Sequence, residues 1–496
     1  MSSVRKAAVG TGYITLMNAI HLGIAFMFYM AIARILTPSE MGEVSLLFLV
    51  IAIFNTMTLL ALNSAAIRFV SERFGMGKPE EASAAFWGSL KLMTIVAFPS
   101  FILVTATSPY LTRFMGGLDA PLVSMALSAG LVLNYTTILG GAFYGLFLYS
   151  LVAIQNTVYV GLGRFSAVAL AKLGLGVYGV ALGTLLGTIA CLIYSILAIK
   201  GKLRRTRSNF PARQLLSYSA PIYLANIILL AQGWLDIAVL YRITADLAAV
   251  GVYYLVVSST AILTVLPNSI ASVLFPTMSY KVGESGTEGA KEILESTVHL
   301  SLLIIAPISL ALAAVAPTAL TIAYGAKYSV GSTVLAVAAF GVIPATMYTL
   351  LNSALQAAGH TRPVALAGAV SVLADLVMLM LAVPILSGAG AAMARVMTAS
   401  AGFTVSYTAI RSRLRYRLSG GWRLLAYSGL TVMPLLFIDW TISLDVLIKG
   451  LLELAVFIFT AVILLKILKP FSERERSIIE RVVPKNLKPI VRMILR

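Results

Sequence analysis

"ARILTPSEMGEVSLLFL" (Ala33–Leu49) sets Arg34, Pro38, Ser39 and two glutamates between apolar runs. Pro38 suits the first position of a helix and Gly42 suits a tight reversal, so the stretch reads as a turn between two helices. Arg34 is placed to snorkel to a membrane interface, and is also a candidate for touching a substrate there.

The surrounding chain supports a membrane reading. Of 496 residues, 59% are hydrophobic and only 11% are charged, with a mean hydropathy of +0.94. A soluble domain keeps about 25% charged residues, so the chain reads as an all-α polytopic membrane protein. A span needs about 20 mostly apolar residues, and helices satisfy every backbone group within the segment. Candidate spans cover roughly 8–33, 41–67, 86–109, 121–141, 146–171, 177–198, 216–241, 248–274, 297–316, 332–356, 364–386, 388–410, 424–442 and 446–468, about fourteen in all. The first is too long for a signal-peptide core and shows no clear cleavage site.

The net charge of +18 follows from topology. With the N-terminus inside, the outer loops hold only Arg34, Arg113, Lys172, Arg242, Lys327 and Lys449; Arg164 and Arg395 lie inside helices, and the other cations fall on the inner side. This asymmetry places both termini in the cytoplasm. "KGKLRRTR" (Lys200–Arg207) and "RSRLRYR" (Arg411–Arg417) anchor that topology beside anionic lipid, so no nucleic acid partner is needed. The tail after Leu468, basic with interleaved Ile and Val, reads as a helix lying on the inner surface.

The opening turn returns. "RILTPSEMG" (Arg34–Gly42) and "RITADLAAVG" (Arg242–Gly251) each join a first helix to a second on the outer side. Pro99 and Pro307, Pro109 and Pro317, and Gly117 and Gly325 pair at the same spacing as the two arginines. "GVYGVALGTLLGT" (Gly176–Thr188) pairs with "SGAGAAMARVMTA" (Ser387–Ala399). The chain therefore reads as two parallel six-helix repeats forming two bundles, 1–210 and 211–415, then helices 13 and 14 (416–468) and a basic cytoplasmic tail (469–496). Such repeats are a transporter signature with the substrate path between them. Gly179, Gly183 and Gly187, answered by Gly390, Ala394 and Thr398, have the spacing of close helix packing. Internal prolines at Pro99, Pro221, Pro267, Pro307, Pro344, Pro384 and Pro434 favour kinks.

Intramembrane ionisable residues cost about 2.5–3.5 kcal/mol each on insertion scales, and so face the protein interior or a wet cavity. The candidate pathway residues are Arg164, Arg395, Asp236, Asp375, Gln232 and Arg34, with Glu453 and His21 secondary. Gln232 and Asp236 share a helix face, as do Asn18 and His21. Arg suits bidentate contact with a phosphate; a structural Arg–Asp pair is the competing role. His299 and His360 sit near helix ends, where solvation is the default. One cysteine and three scattered histidines, with no nucleotide or metal motif in context, disfavour a metal or nucleotide enzyme, so no cofactor is expected. The short outer loops carry no pair of carboxylates for a glycosyltransferase or polymerase.

"ARILTPSEMGEVSLLFLV", "WLDIAVLYRITADLAAVGVYYLVVS" with "FPTMS" after it, and "YGAKYSVGSTVLAVAAF" followed by "ALQAAGHTRPVALAG" resemble the polysaccharide flippases, the O-antigen-type exporters of the multidrug/oligosaccharidyl-lipid/polysaccharide exporter superfamily. The likeness spans the whole chain and rests on order and spacing. It implies alternating access that carries a polyprenyl-phosphate- or pyrophosphate-linked oligosaccharide from the inner to the outer leaflet of the cell membrane. It implies a cationic lumen, supplied by Arg164 and Arg395. Helix 1 departs from the lipid II flippases in lacking arginine before Arg34, and from the proton-coupled multidrug members in lacking an acid. Asp236 matches a helix-7 acid of several branches, which leaves H+ or Na+ open as a coupling ion. An ion-coupled antiporter of organic cations is the alternative.

Overall fold

The computed structural model describes residues 20–115, 117–203, 209–413, 421–442, 444–471 and 475–476. Side chains at 111, 113–115 and 421–422, and at 272–290 apart from Leu274 and Met278, are outside that description. So are Asn18, most of the two basic inner segments and nearly all of the tail.

Every element among the described residues is a helix. α1 covers Ile20–Ile35. It is followed by α2 (Pro38–Leu59), α3 (Leu62–Gly75), α4 (Pro79–Met115), α5 (Ala120–Gly145), α6 (Tyr149–Leu170), α7 (Gly176–Ile199), α8 (Ala212–Thr244), α9 (Leu247–Ala314), α10 (Ala316–Tyr324), α11 (Ser332–Ala357), α12 (Thr361–Leu386), α13 (Gly388–Arg413), α14 (Gly421–Thr441) and α15 (Val446–Leu468). Among them 11 stretches are long and apolar enough to cross a membrane. Tyr149–Ile199 takes in both α6 and α7, and α9 supplies two spans, 247–271 and 291–314. With α1 and the less apolar α13, this agrees roughly with the expected fourteen crossings. The chain is a multi-pass membrane protein.

Two compact units form, Met1–Gly251 and Val252–Arg496. In the first, the opening turn is a capping box. Thr37 N donates to Glu40 Oε2 at 2.7 Å, Glu40 N donates to Thr37 Oγ1 at 3.3 Å, and Pro38 occupies the first helical turn. Together they satisfy backbone donors that a helix start leaves bare. The second turn is capped differently: Asp246 Oδ1 accepts from Ala248 N at 2.8 Å and Ala249 N at 3.1 Å.

Gly42 does not make the turn. It lies buried in α2, where a Cβ would sit 2.1 Å from Leu247 O; a Cβ on Gly251 would sit 2.0 Å from Pro38 O. The two helix starts touch through bare backbone. Glycines also seat α7 on α6. Added Cβ atoms at Gly179, Gly183 and Gly187 would lie 2.5 Å from Ala171 N, 2.3 Å from Ala167 N and 2.5 Å from Gly163 Cα. Small residues let helix backbones approach where lipid offers no hydrophobic drive to associate.

The expected single span 41–67 is broken at Leu60 and Ala61, with φ of 51° and 53°. Left-handed backbone costs an L-residue about 1–2 kcal/mol, so surrounding packing must hold this break in place. Leu59, Leu62, Phe69, Phe86, Met93 and Ile138 are buried around it in one apolar cluster. Beside it, Asn55 Nδ2 donates to Asn134 Oδ1 at 2.7 Å, and Asn134 Nδ2 donates to Thr58 Oγ1 at 2.6 Å.

In the second unit, α12 and α13 form a hairpin seated by Gly390, whose Cβ would lie 2.3 Å from Ala382 O. Leu294, Val298, Leu350, Leu355, Ile410 and Tyr427 belong to its main apolar cluster, and Phe471, beyond α15, packs against it. His299 is not merely solvated: its Nδ1 lies 2.7 Å from Glu475 Oε1. His360 Nδ1 is 3.1 Å from Arg413 Nη1.

Candidate functional site

α1 and α6 run side by side in the first unit. His21 Nε2 lies 3.3 Å from Thr157 Oγ1. Seven residues further along both helices, Phe28 meets Arg164, whose Cζ is 4.3 Å from the Phe28 ring centroid. Equal steps along both chains mean that the helices are parallel, and seven residues is two turns, so both contacts lie on one stripe. Phe48 of α2 closes the other side at 4.8 Å and Tyr29 approaches at 5.7 Å. A guanidinium within about 6 Å of a ring face is attracted by the ring quadrupole.

This cage holds a cation without neutralising it. Among the described residues no carboxylate forms an ion pair with Arg164, and its Nη1 is buried with no hydrogen-bond partner. Among the described residues the rings, rather than an Arg–Asp pair, hold Arg164. Just beyond it, a π-turn at Ala171–Leu175 separates α6 from α7, with Gly174 at φ 93° and Gly176 at φ 51°.

Asp236 lies on α8 of the same unit, 2% exposed, with Oδ1 accepting from Ile237 N at 2.8 Å. Gln232, one turn before it, is half-buried, and Arg34 is exposed at the end of α1.

Arg395 and Asp375 lie in the second unit. Arg395 Nε donates to Tyr253 Oη at 3.0 Å, and Tyr253 is fully buried. Asp375 is 5% exposed and accepts from Thr398 Oγ1 at 2.8 Å. Arg395 and Thr398 are three apart on α13 and share a face. The structure thus ties Asp375 to α13 and Arg395 to the start of α9. Glu453, 3% exposed, is the one buried residue of α15 and accepts from Thr318 Oγ1 at 3.3 Å.

Sequence reasoning missed the cage. Phe28, Tyr29 and Phe48 look like lipid-facing aromatics in apolar helices, and only the packing of α1 and α2 on α6 brings them to Arg164. It also missed Tyr253 as the partner of Arg395.

A curated relative, named "Probable low-salt glycan biosynthesis flippase Agl15", from Haloferax volcanii, is 23% identical over 366 residues, 73% of this chain and 74% of its own. Among solved structures, the lipid II flippase MurJ in an inward closed conformation aligns with a TM-score of 0.72 at 14% identity, over 92% of this chain and 99% of that one. An inward-facing multidrug resistance MATE family transporter of the MOP superfamily aligns with a TM-score of 0.63 at 16% identity, over 79% of this chain and 94% of its own. At such identities these two likenesses concern the fold alone. The family described as MatE matches residues 221–404. The family described as polysaccharide biosynthesis protein matches residues 7–281, more than half of the chain, and the chain belongs to that family.

Proposed function

We propose that this protein is a flippase that moves a polyprenyl-phosphate- or pyrophosphate-linked oligosaccharide from the inner to the outer leaflet of the cell membrane, for assembly of cell-surface glycan. The observation that carries the reading is Arg164: a guanidinium inside a membrane-spanning helix, held by three aromatic rings and paired with no carboxylate among the described residues. An uncompensated cation at that depth is costly. A (pyro)phosphate headgroup supplies the missing charge, and Arg offers it a planar set of donors. The glycan-flippase relative supports the same substrate class.

In this reading the six-helix repeats 1–210 and 211–415 alternate access to the two sides, helices 13 and 14 and the basic tail follow them along the chain, and both termini are cytoplasmic. Arg395, Gln232 and Arg34 line the substrate path. The buried carboxylates Asp236 and Asp375 are where H+ or Na+ couples to transport. The work is movement, not bond chemistry, so the protein is no enzyme and holds no resident cofactor. The MatE match and those same carboxylates favour the second reading, an ion-coupled antiporter of organic cations.

Leaflet transfer in proteoliposomes separates the two. A fluorescent polyprenyl-pyrophosphate oligosaccharide reaches the far leaflet only with the protein present, and Arg164→Ala lowers the rate while the variant stays folded. No transfer, together with proton- or sodium-driven efflux of an organic cation, establishes the antiporter instead.

A further inference from the structure

The second unit holds a polar chamber of 350 Å³. Among the described residues its lining is Ala271 of α9 and Tyr348, Thr349, Asn352, Ser353 and Gln356 of α11. Steps of one and four residues keep these five on one face of α11. Tyr348, Thr349, Asn352 and Ser353 are half-buried and Gln356 is exposed.

The repeat supplies an internal comparison. α5 and α11 have 26 residues each, and a left-handed residue follows two positions past each end, Phe147 and Gly359. Aligned end to end, Asn352 stands at the position of Gly140 and Ser353 at that of Gly141. In the first unit a Cβ on Gly141 would lie 2.8 Å from Asn63 O, and one on Gly140 would lie 2.8 Å from Gln155 Oε1. The Gln155 amide spends its protons inside the protein, on Thr136 O at 2.8 Å and Ser195 Oγ at 2.9 Å. In the second unit the polar groups come from α11 instead, and Ala367 of α12 stands where Gln155 does. Ser353 Oγ donates to Ala271 O at 2.9 Å. Asn352 Oδ1 accepts from Ser406 Oγ at 2.9 Å, which fixes the amide and leaves both its N–H groups unspent. The side chains of Tyr348, Thr349 and Gln356 make no hydrogen bond among the described residues. The Tyr348 ring rests on bare α13 backbone: a Cβ on Gly402 would lie 2.6 Å from its Cε2.

We infer that this chamber seats a neutral sugar residue of the transported glycan, an inference that rests on the flippase reading above. Its described lining holds no carboxylate and no cationic side chain, so it offers nothing to a phosphate and no counter-charge to an ion. Amide and hydroxyl side chains both donate and accept, as every sugar hydroxyl does, and a tyrosine ring adds an apolar body beside a polar tip. Ligand pockets run from about 300 to 1,000 Å³; a chamber at the small end suits a sugar ring rather than a whole lipid. A site built to hydrogen-bond hydroxyls rejects an analogue that lacks them. Arg164 belongs to the first unit, so headgroup and sugar are separable by mutation.

Purified protein in nanodiscs is titrated against two fluorescent probes: a polyprenyl pyrophosphate bearing a neutral hexose oligosaccharide, and the same lipid without sugar. Wild-type protein is expected to bind the sugar-bearing probe more tightly. Thr349→Val, nearly isosteric, and Gln356→Met break no bond within the described protein. Each is expected to keep the wild-type unfolding midpoint, to weaken the sugar-bearing probe about three- to tenfold, the factor that one hydrogen bond carries, and to leave the sugar-free probe unchanged. Thr349→Ser keeps the affinity, and Arg164→Ala weakens both probes alike. Equal affinity of wild type for the two probes overturns the inference and leaves the flippase reading standing. So does sugar-bearing affinity unchanged in both variants, or a loss that is the same for both probes. Binding of neither probe by folded wild type overturns the flippase reading, and this inference with it.

Discussion

Gly42 and Gly251 each occupy the space that the other's helix start requires. A methyl group on Gly42 would strike Leu247 O, four residues before Gly251, and one on Gly251 would strike Pro38 O, four residues before Gly42. The contact is reciprocal, with a local two-fold character. Gly42→Ala and Gly251→Ala are each expected to destabilise by about 1–3 kcal/mol, the cost of overpacking, and Val at either site by more. Gly23→Ala, with nothing within 4 Å of its added methyl, is expected to be neutral or stabilising by about 0.5–1 kcal/mol. Thermal unfolding of the three variants in one detergent checks the contrast.

Arg164 separates charge from stacking. Arg164→Lys keeps the cation but loses the flat guanidinium that lies against Phe28 and Phe48. Lipid-linked oligosaccharide transfer is expected to fall about tenfold or more with Arg164→Ala, equivalent to about 1.4 kcal/mol, and by less with Arg164→Lys. An unchanged rate in a folded Arg164→Ala protein would remove this residue from the substrate path.

Asp375 and Thr398 join α12 to α13 by one charge-assisted hydrogen bond. Thr398→Val leaves a buried carboxylate short of a donor, a loss of about 1–3 kcal/mol. Thr398→Ser retains the bond and most of the stability. Midpoints of thermal unfolding for the pair of variants read the difference.

Glu453 and Thr318 are expected to be coupled. Singly, Glu453→Ala and Thr318→Val each destabilise; together they cost less than the sum, with an interaction of about 0.5–1.5 kcal/mol. Strict additivity in a double-mutant cycle counts against the bond.

Much of this architecture is legible in the chain because lipid imposes simple demands. Long apolar runs had to be helices, and "TPSE" spells a capped helix start. The glycine spacing of α7 announced a close helix contact, and the structure shows α6 to be its partner. Three features were not legible, each for a physical reason. Leu60 and Ala61 break a helix although neither is glycine nor proline, so local preference points the other way and only packing holds them. Gly42 looks like a turn residue beside Pro38, while the atom it accommodates, Leu247 O, is some two hundred residues distant. Of the candidate site, the ionisable residues were visible as exceptions in apolar segments. Their partners were not: Phe28, Phe48 and Tyr253 are ordinary membrane aromatics until folding aligns them.

α15 has a further consequence. Its 23 residues span about 34 Å at 1.5 Å per residue, close to the thickness of a bilayer's hydrocarbon core. It turns Leu447, Leu451, Leu454, Ile458 and Phe459 outward, and Glu453 is its one buried residue. One end is pinned by Glu453 and by Lys449, whose Nζ lies 2.6 Å from Asp439 Oδ1. Near the other end, Leu464, Leu465 and Leu468 pack onto the core of the second unit. Between these anchors Val456 and Phe457 pack beside Val432 and Leu435 of α14, and the opposite face is left to acyl chain. Hydrophobic mismatch is met by tilt at a modest cost per ångström, so lipids of different chain length would load this sparsely buried helix. Acyl-chain length, as much as substrate, then becomes a variable that sets how the protein behaves once it is taken out of its native membrane.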